Sequence, residues 1–260
     1  MDRVIAGYDS SPHAGSALAW AAAEARRWQA ELHVLTVADP RARADDLRAH
    51  LRPELDRITG GLPAEHHVEH GDAAARLVGT CTADDLLVIG SRGRGPLAER
   101  LLGSVSHACL HTARCPVVIV REQPRPPRGV VLAGVDGSAA ARHALTVAAG
   151  EARRGGAALH ALHVVYWEHL GGEWIIPTVD DLVGWGKQLL EKELAETGVT
   201  ALPEVIHGYP TDVLTRRSEH ADLLVLGARG HSPLTTLLLG STADHCARHA
   251  RCPIMIVPAR

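Results

Sequence analysis

The amino-acid sequence predicts an α/β fold built twice, in which each copy is an open parallel sheet flanked by helices. Short apolar runs alternate with longer helical patterns, as is typical of strands joined by helices. The pattern also repeats: VIAGYDSS (residues 4–11) returns as VLAGVDGS (131–138), and ARCPVVIV (113–120) returns as ARCPIMIV (250–257). A repeat this long indicates two domains rather than small solenoid units.

The two copies are not offset by a constant length along the chain. Val4 and Val131 are 127 residues apart, whereas Gly90 and Gly227 are 137 apart, so the second copy has gained ten residues between these landmarks. The connector REQPRPPRG (121–129) combines three prolines with several charges, a composition typical of a short, stiff linker. We therefore expect domains at residues 1–122 and 128–260, each long enough to bury its own core.

The apolar pattern predicts the order of the elements. In the first copy we expect strands at residues 3–8, 31–38, 64–69, 85–90 and 116–121. The expected helices of that copy are 14–29, 44–60, 72–80 and 104–111. In the second copy we expect strands at residues 129–135, 157–165, 201–207, 222–227 and 253–257. Because strands joined by helices usually pair in parallel, each copy predicts an open parallel sheet.

The inserted segment of the second copy lies around residues 166–185. It holds Trp167, Trp174 and Trp185, three of the five tryptophans in a chain with 3% aromatic residues. Such a concentration favours a lid or an interface over stacking on a ligand. The sequence does not choose between the lid and the interface.

Composition and charge argue against several classes of partner. The net charge is −3 with histidines neutral, and no basic block stands alone, so nothing indicates nucleic-acid binding. No apolar run approaches the length of a membrane span, and the first predicted strand follows Met1 too closely for a signal peptide. We therefore expect a cytoplasmic protein with no nucleic-acid partner and no membrane span.

Cysteines and histidines are common metal ligands, but their pattern in this sequence does not favour that role. The five cysteines lack CxxC spacing, and Cys109 and Cys115 recur as Cys246 and Cys252, as buried apolar side chains would. We therefore expect them to pack in the core.

The local group His66, His67 and His70 suggests a metal site at first sight. Alternation along a strand, however, sends His66 and His67 to opposite faces. We therefore expect no metal held by the protein alone.

Each copy carries a glycine-bearing loop directly after a buried apolar run. GSRGRGPLAERLLGS (90–104) returns as GARGHSPLTTLLLGS (227–241), so the spacing G-x-x-G, nine residues, G-S occurs twice. The glycines let the backbone approach a ligand, and the G-S pair opens a helix whose N–H groups and dipole face an anion. A single G-x-x-G fits an ordinary turn, but the doubled loop predicts two phosphate-binding sites.

A carboxylate ends the first strand of each copy, where open α/β sheets bind their ligands. There Asp9 and Asp136 can accept hydrogen bonds from ribose hydroxyls, or lie near a magnesium ion that travels with a polyphosphate. The alternative is that each aspartate caps the following helix. Ser10, Ser11 and Ser138 are able to cap instead, which favours the ligand role.

At these motifs the sequence resembles the universal stress proteins, specifically the ATP-binding type in its tandem two-domain form. The resemblance covers almost the whole chain and rests on GYDSS and GVDGS, the doubled G-x-x-G-x9-G-S, and the two R-C-P-(V/I) strands. It implies two tandem Rossmann-like (adenine nucleotide alpha hydrolase-like) domains, each a five-stranded parallel sheet of order 3-2-1-4-5. It also implies that the fifth strands pair antiparallel, here PVVIV against PIMIV.

The resemblance further implies two ATP sites, with magnesium accompanying the nucleotide. Backbone groups at Val37 and Val164 would hold adenine, with Asp9 and Asp136 toward the ribose. In the first copy the implied ATP-binding residues are Gly7, Asp9, Val37, Gly90, Ser91, Arg92, Gly93, Arg100, Gly103, Ser104, Val105 and Ser106. In the second copy they are Gly134, Asp136, Val164, Gly227, Ala228, Arg229, Gly230, Gly240, Ser241 and Thr242.

The two loops differ in charge. The first carries Arg92, Arg94 and Arg100. The same places in the second hold Arg229, His231 and Leu237, and Ala243 stands in place of Ser106. Guanidinium groups strengthen phosphate contacts, and the hydroxyls of Ser104, Ser106, Ser241 and Thr242 are expected to donate to phosphate oxygens. We therefore expect tighter ATP binding in the first copy, although these arginines also fit a solvated surface.

Catalytic motifs are absent from the sequence. It has neither a lysine-bearing P-loop nor a G-x-S-x-G nucleophile elbow. The leading hypothesis is therefore an ATP-binding regulator or sensor of the stress response with an unknown protein partner, and the resemblance suggests a homodimer. The alternatives are a slow ATPase or nucleotidyl-transfer enzyme on the same fold, or a scaffold with empty sites.

Overall fold

A computed structural model of the chain describes residues 3–93, 102–121, 126–166, 178–230 and 239–259. In the first copy strands and helices alternate as the sequence predicts. The strands are β1 (Arg3–Gly7), β2 (Glu31–Ala38), β3 (Ala64–His70), β4 (Leu86–Gly90) and β5 (Val117–Val120). The helices are α1 (Pro12–Trp28), α2 (Ala44–Thr59), α3 (Ala73–Thr80) and α4 (Ser104–Thr112).

The second copy follows the same order. Its strands are β6 (Val130–Gly134), β7 (Ala158–Val165), β8 (Leu202–His207), β9 (Leu223–Gly227) and β10 (Ile254–Val257). Its helices are α5 (Ala139–Gly155), α6 (Val179–Thr197), α7 (Pro210–Arg217), the short 3-10 helix Ser218–His220, and α8 (Ser241–His249). Within the inserted segment, Trp185 belongs to α6 and is exposed, whereas Trp167 and Trp174 lie outside the described residues.

The chain divides into two compact units. Unit 1 contains the described residues up to Pro126 together with Pro253–Pro258, and unit 2 contains Pro127–Cys252. The division after Pro126 falls inside the proline-rich connector. Strand β10 is grouped with unit 1, so the second copy of the repeat and the second unit differ at their last strand.

Unit 1 contains a mostly parallel sheet of order β3-β2-β1-β4-β5-β10. The first five strands follow the order that the resemblance implies. The sixth, β10, runs antiparallel to β5, with Met255 opposite Val118, so the expected pairing of PVVIV with PIMIV is present. Because all four residues of β5 are buried and apolar, an open edge there would leave its backbone groups unpaired, and β10 covers that edge.

Unit 2 contains the parallel strands β9-β6-β7-β8. These four strands are arranged like β4-β1-β2-β3 of unit 1. Among its described residues, unit 2 itself contains no equivalent of β5, because β10 is grouped with unit 1. The expected α/β class of parallel sheets flanked by helices is confirmed, and the strand order differs only in the placement of β10.

Helices cover the sheet of each unit. In unit 1, α1 packs on β1 and β4 and contacts α2, while α3 packs against α4. Alanines fill the contact face of α1, and Ala17, Leu18 and Ala21 have no exposed surface. Small side chains let the helix lie close to the strands, which places the first turn of α1 beside the end of β4.

The recurring cysteines lie in the core, as the sequence predicts. Cys109, Cys115 and Cys246 are at most 1% exposed, and Cys252 is 8% exposed. Burial raises the pKa of the Cys109 and Cys246 thiols to about 12, which keeps them protonated and unreactive at neutral pH. Within the described part of the chain, no helix is both long enough and apolar enough to cross a bilayer.

A buried carboxylate ties the start of β1 to the start of β4. Asp85 is 1% exposed, and its oxygens accept hydrogen bonds from the Arg3 guanidinium at 2.6 and 3.0 Å and from the Thr82 backbone N–H at 2.7 Å. Burial alone would raise the pKa of Asp85, but these donors outweigh burial and lower that pKa below its usual value. In unit 2, Asp222 accepts bonds instead from the backbone N–H groups of Arg128 and Gly129.

The Asp85 contact predicts a pH-dependent stability difference. We expect Asp85→Asn to lower the free energy of unfolding by about 2–4 kcal/mol at pH 7, because the Arg3 guanidinium loses its buried charged partner. Since the folded-state pKa of Asp85 is depressed, its stabilisation is complete above about pH 4, the unfolded-state value, and is lost as the pH falls through the folded-state pKa. Urea unfolding from pH 7 to pH 2 measures the difference. The exposed neighbour variant Asp84→Asn is the control, and an equal effect of both variants would contradict the prediction.

Candidate functional site

The candidate site of unit 1 lies where β1 and β4 end side by side. The two strands pair in parallel, with Ala6 opposite Val88. From β1 the chain proceeds to β2 on one side, whereas β4 lies on the other side, so the strand order reverses here. Open α/β sheets bind ligands outside the strand ends at this point. Unit 2 has the same reversal between β6 and β9.

The structure excludes one of the two roles considered for the aspartates, that of helix cap. The N-cap of α1 is Ser11, whose hydroxyl accepts a hydrogen bond from the Ala14 N–H at 3.2 Å. Ser138 caps α5 in the same way. Asp9 precedes this N-cap by two residues, and its Oδ1 accepts a hydrogen bond from the Ser11 N–H at 3.0 Å. The aspartates are therefore not the helix caps.

The second oxygen of Asp9 is directed at the glycine loop. A Cβ atom on Gly93 would lie 2.6 Å from Asp9 Oδ2, closer than two such atoms can approach. In unit 2, a Cβ atom on Gly230 would meet Asp136 Oδ2 in the same way. The second glycine of G-x-x-G therefore leaves room for the carboxylate, which would have to move if this position carried a side chain.

A cavity of about 290 Å³ opens at this place in unit 1. Its apolar walls come from Leu35, Val37, Leu77 and Ile89. Its polar part is formed by Asp9 and the glycine loop. The lining residues that the sequence predicted are Gly7, Asp9, Val37, Gly90, Arg92, Gly93, Gly103, Ser104, Val105 and Ser106.

The second cavity, of about 250 Å³, occupies the equivalent place in unit 2. It is lined by every residue predicted for the second copy: Gly134, Asp136, Val164, Gly227, Ala228, Arg229, Gly230, Gly240, Ser241 and Thr242. The two copies of the sequence thus place the same set of positions around two similar cavities.

One described residue predicted for the first site, Ser91, does not line its cavity. Ser91 is 1% exposed, and its backbone N–H and C=O bond to Val120 and Gly103, so it lies beneath the loop. Arg100 lies outside the described residues. So do Arg94, His231 and Leu237, on which the expected difference in charge between the loops depends.

Ser106 lines the cavity, and its hydroxyl forms a hydrogen bond within the protein. Its Oγ donates to the Gly90 carbonyl oxygen at 2.7 Å, and the residue is only 4% exposed. A hydroxyl has one proton, so Ser106 holds the first turn of α4 to the end of β4. The replacement of Ser106 by Ala243 therefore removes this anchor of the helix in unit 2.

The start of α4 presents backbone donors to the cavity. Gly103 is the N-cap and has no side chain with which to cap the helix, and Ser104, Val105 and Ser106 form its first turn. The N–H groups of a first turn have no acceptor within the helix, and the positive end of the helix dipole adds to their attraction for anions. Gly240 and Ser241 begin α8 in the same way. Each cavity therefore has an anion-binding wall.

The sequence analysis missed lining residues that only the three-dimensional structure brings to the cavity. Leu77 comes from α3, and Leu214 comes from α7 at the equivalent place in unit 2. The apolar face of each short helix was visible in the sequence, but not which sheet end it would cover. Tyr8 was also missed. Burial, followed by a hydrogen bond with Glu54, raises its pKa to about 12, so the phenol stays neutral.

A comparison with known families identifies the chain. The model of the universal stress protein family matches residues 1–121 and 128–258. The chain belongs to the universal stress protein family. A universal stress protein of Mycobacterium tuberculosis is 32% identical to it over 287 residues, which cover 97% of this chain and 95% of that relative. A universal stress protein of Mycolicibacterium smegmatis is 30% identical to it, and the alignment covers 99% of this chain and 97% of that relative.

Solved structures share the fold of this universal stress protein. One, a universal stress protein from Archaeoglobus fulgidus, has 22% identity and a TM-score of 0.73, with 99% of this chain and 96% of the other covered. A functionally unknown protein from Pseudomonas aeruginosa has 19% identity and a TM-score of 0.75, with 100% and 93% covered. At such identities the likeness concerns the fold alone.

The close approach at the first glycine predicts a stability effect. We expect Gly90→Ala to lower the free energy of unfolding by about 1–3 kcal/mol, because its Cβ would lie 2.7 Å from the His13 carbonyl carbon and 2.9 Å from the Ala14 nitrogen. Neither backbone atom can move without displacing α1. Gly79→Ala in α3 is the matched control, since its Cβ meets nothing within 4 Å, and we expect it to leave stability unchanged or raised by about 0.5 kcal/mol. Denaturant unfolding that ranks Gly79→Ala as the more harmful change would refute this account.

Proposed function

We propose that this universal stress protein binds an adenine nucleotide, accompanied by magnesium, in each of its two cavities and acts as a nucleotide-dependent cytoplasmic regulator of the stress response. The observation that carries the proposal is the pairing, in both units, of an uncapped helix start with a glycine loop at the reversal of strand order. The wall of backbone N–H groups favours an anion, and phosphates are the anions that such loops commonly bind.

The apolar walls support a nucleotide over a free phosphate. Leu35, Val37 and Leu77 line the same cavity as the helix start, so a ligand that fills it has an apolar part as well as an anionic part. Val37 and Val164 end the second strand of each copy, where the family resemblance implies adenine. Asp9 and Asp136 also line these cavities, and a carboxylate there suits ribose hydroxyls or a magnesium ion.

The described lining residues do not favour catalysis. Asp9 is the only carboxylate among those of the first cavity, and Asp136 is the only one among those of the second. Each already accepts a backbone N–H from the residue two positions ahead. Phosphoryl transfer requires a group that orients the attacking oxygen, in addition to binding. We therefore propose binding, with hydrolysis slow at most.

We expect nucleotide occupancy to be directly measurable. Denaturation of the purified protein followed by chromatography is expected to release adenine nucleotide, and millimolar ATP is expected to raise the melting temperature. ATP at about 100 times its dissociation constant stabilises the folded state by about 2.7 kcal/mol. Absence of both effects would sink the proposal. Turnover far above about one per minute with magnesium would instead favour an enzyme, because typical enzymes turn over at about 1–1000 per second.

We also expect the two sites to bind with unequal affinity. Ser104→Glu and Ser241→Glu each place a negative charge at an exposed helix start, which suits the helix dipole but repels phosphates. Each variant therefore disables one site while the helix remains stable. We expect the Ser241→Glu variant, with the first site intact, to bind ATP more tightly than Ser104→Glu, because the first loop carries more arginines.

Calorimetric titration of both variants measures the two affinities. The neutral variants Ser104→Gln and Ser241→Gln control for the loss of the hydroxyl and for the added bulk. Tighter binding by Ser104→Glu than by Ser241→Glu would contradict the expected order of the sites.

A further inference from the structure

Two imidazoles and a carboxylate meet on the outer strands of unit 1, away from the nucleotide cavity. His33 lies on β2 and Glu65 and His67 lie on β3, with His33 opposite Glu65 and Leu35 opposite His67 in the parallel register. His66 faces α2, where it shares a cavity with Arg48 and Arg52. Because side chains alternate along a strand, Glu65 and His67 lie on the other face of the sheet, where they meet His33.

The three potential ligand atoms form a nearly equilateral triangle. His33 Nδ1 lies 3.1 Å from His67 Nε2 and 3.6 Å from Glu65 Oε2, and His67 Nε2 lies 3.5 Å from Glu65 Oε2. Tetrahedral zinc with bonds of about 2.0–2.2 Å holds its ligand atoms about 3.3–3.6 Å apart. Two sides of the triangle fall within this range, and the third, at 3.1 Å, is slightly shorter because the two imidazoles are hydrogen-bonded.

A fourth residue orients the most buried of the three ligands. The His33 imidazole is almost fully buried, and its Nε2 lies 3.2 Å from Glu31 Oε2. A carboxylate at this distance holds the proton on Nε2 and leaves Nδ1 with a lone pair toward the triangle. Histidines that bind metals usually have such a carboxylate or carbonyl partner on their other nitrogen.

Solvent reaches the triangle from the side of β3. The side chains of Glu65 and His67 are 68% and 42% exposed. A cation can therefore enter, and water can complete the fourth corner. Exposure also means that these two side chains can be replaced without opening a hole in the core.

The two imidazoles are hydrogen-bonded to each other in the structure. Their planes differ by only 5°, and their centroids are 5.3 Å apart, close to the N–N distance plus the two ring radii. The rings are thus nearly coplanar, with facing nitrogens that share one proton. Binding of a cation replaces this shared proton, which moves to Nδ1 of His67, and requires each ring to tilt so that both lone pairs point at the cation.

The second copy provides a natural contrast within the same chain. His160 corresponds to His33, but the register places Leu202 and Glu204 where β3 has Glu65 and His67. Glu204 is bound both by His160 and by the Arg217 guanidinium, the latter at 2.5 Å. The carboxylate there is already neutralised by a fixed cation, and only one imidazole remains. The ligand set is therefore particular to the first copy.

We propose that His33, Glu65 and His67 form a binding site for a divalent transition-metal cation of the Zn²⁺ class, with water as the fourth ligand. Two imidazoles and one carboxylate favour Zn²⁺, Co²⁺ and Ni²⁺ over Mg²⁺, which prefers oxygen ligands. The site is thus separate from any magnesium that accompanies a nucleotide. A bound cation would also join the outer strand β3 to β2.

Titration of the metal-free full-length chain tests the proposal. In the absence of nucleotide, we expect Co²⁺ to bind to the wild-type chain with the visible absorption of a four-coordinate site, and Zn²⁺ to displace it whereas Mg²⁺ does not. His67→Gln and Glu65→Gln are each expected to lower Zn²⁺ affinity by at least about 10-fold, since even changes outside the ligand set commonly cost that much.

The control is His160→Gln, which makes the same chemical change at the position of the second copy that corresponds to His33, and it is expected to leave affinity unchanged. Calorimetry gives the stoichiometry, and a cooperative melt verifies that each variant is folded. If His67→Gln fails to fold, the more exposed Glu65→Gln decides the result alone. Wild-type affinity in the folded ligand variants, an equal loss in His160→Gln, or no saturable Zn²⁺ binding to the wild-type chain would each overturn the proposal. None of these outcomes depends on whether ATP binds.

Discussion

In each unit, the end of one sheet strand packs against the backbone at the start of a neighbouring helix. The candidate sites depend on this close approach. At Gly90 the strand end lies directly against the backbone at the start of α1, and at Gly227 the same approach occurs at the start of α5. A side chain at either position would push the helix away from the sheet. Only with this contact can Asp9 reach Gly93 and the first turn of α4 face the same cavity. The glycines therefore fix the shape of the site before any ligand contributes.

Comparison of the two copies separates positions where the geometry allows one residue type from positions where different partners meet the same requirement. The positions of Gly90 and Gly227 hold glycine in both units because the backbone at the start of the neighbouring helix leaves no room for a side chain. The carboxylate at the start of the fourth strand is retained as Asp85 and Asp222, but the partners differ, a guanidinium in one case and backbone N–H groups in the other. A buried carboxylate requires donors, and any donors of suitable geometry satisfy that requirement.

Much of this arrangement could be predicted from the sequence, because strands and helices leave local patterns. The boundaries of β2 were predicted correctly, and those of the other strands to within one or two residues, since apolar runs end where the sheet ends. The sequence did not decide which residue caps α1, whereas in the structure the Ser11 hydroxyl accepts the Ala14 N–H. Leu77 and the His33 triangle were missed because both depend on which elements become neighbours. Alternation rightly separated His66 from His67 but could not indicate that β2 would bring His33 beside His67.

The two proposed ligands would act on a single strand. His33, Leu35 and Val37 share one face of β2, and about 13 Å separates His33 from Val37 at the strand rise of extended chains. Leu35 and Val37 line the proposed nucleotide cavity, whereas His33 belongs to the proposed cation site. β2 is therefore the element through which the two proposed ligands would be coupled. Linkage then requires reciprocity: whatever factor the cation applies to nucleotide affinity, the nucleotide applies to cation affinity. Because the second copy has only His160 and a neutralised Glu204 at this place, such coupling would act on the first nucleotide site alone, and the two cavities of one chain would respond differently to the same cation.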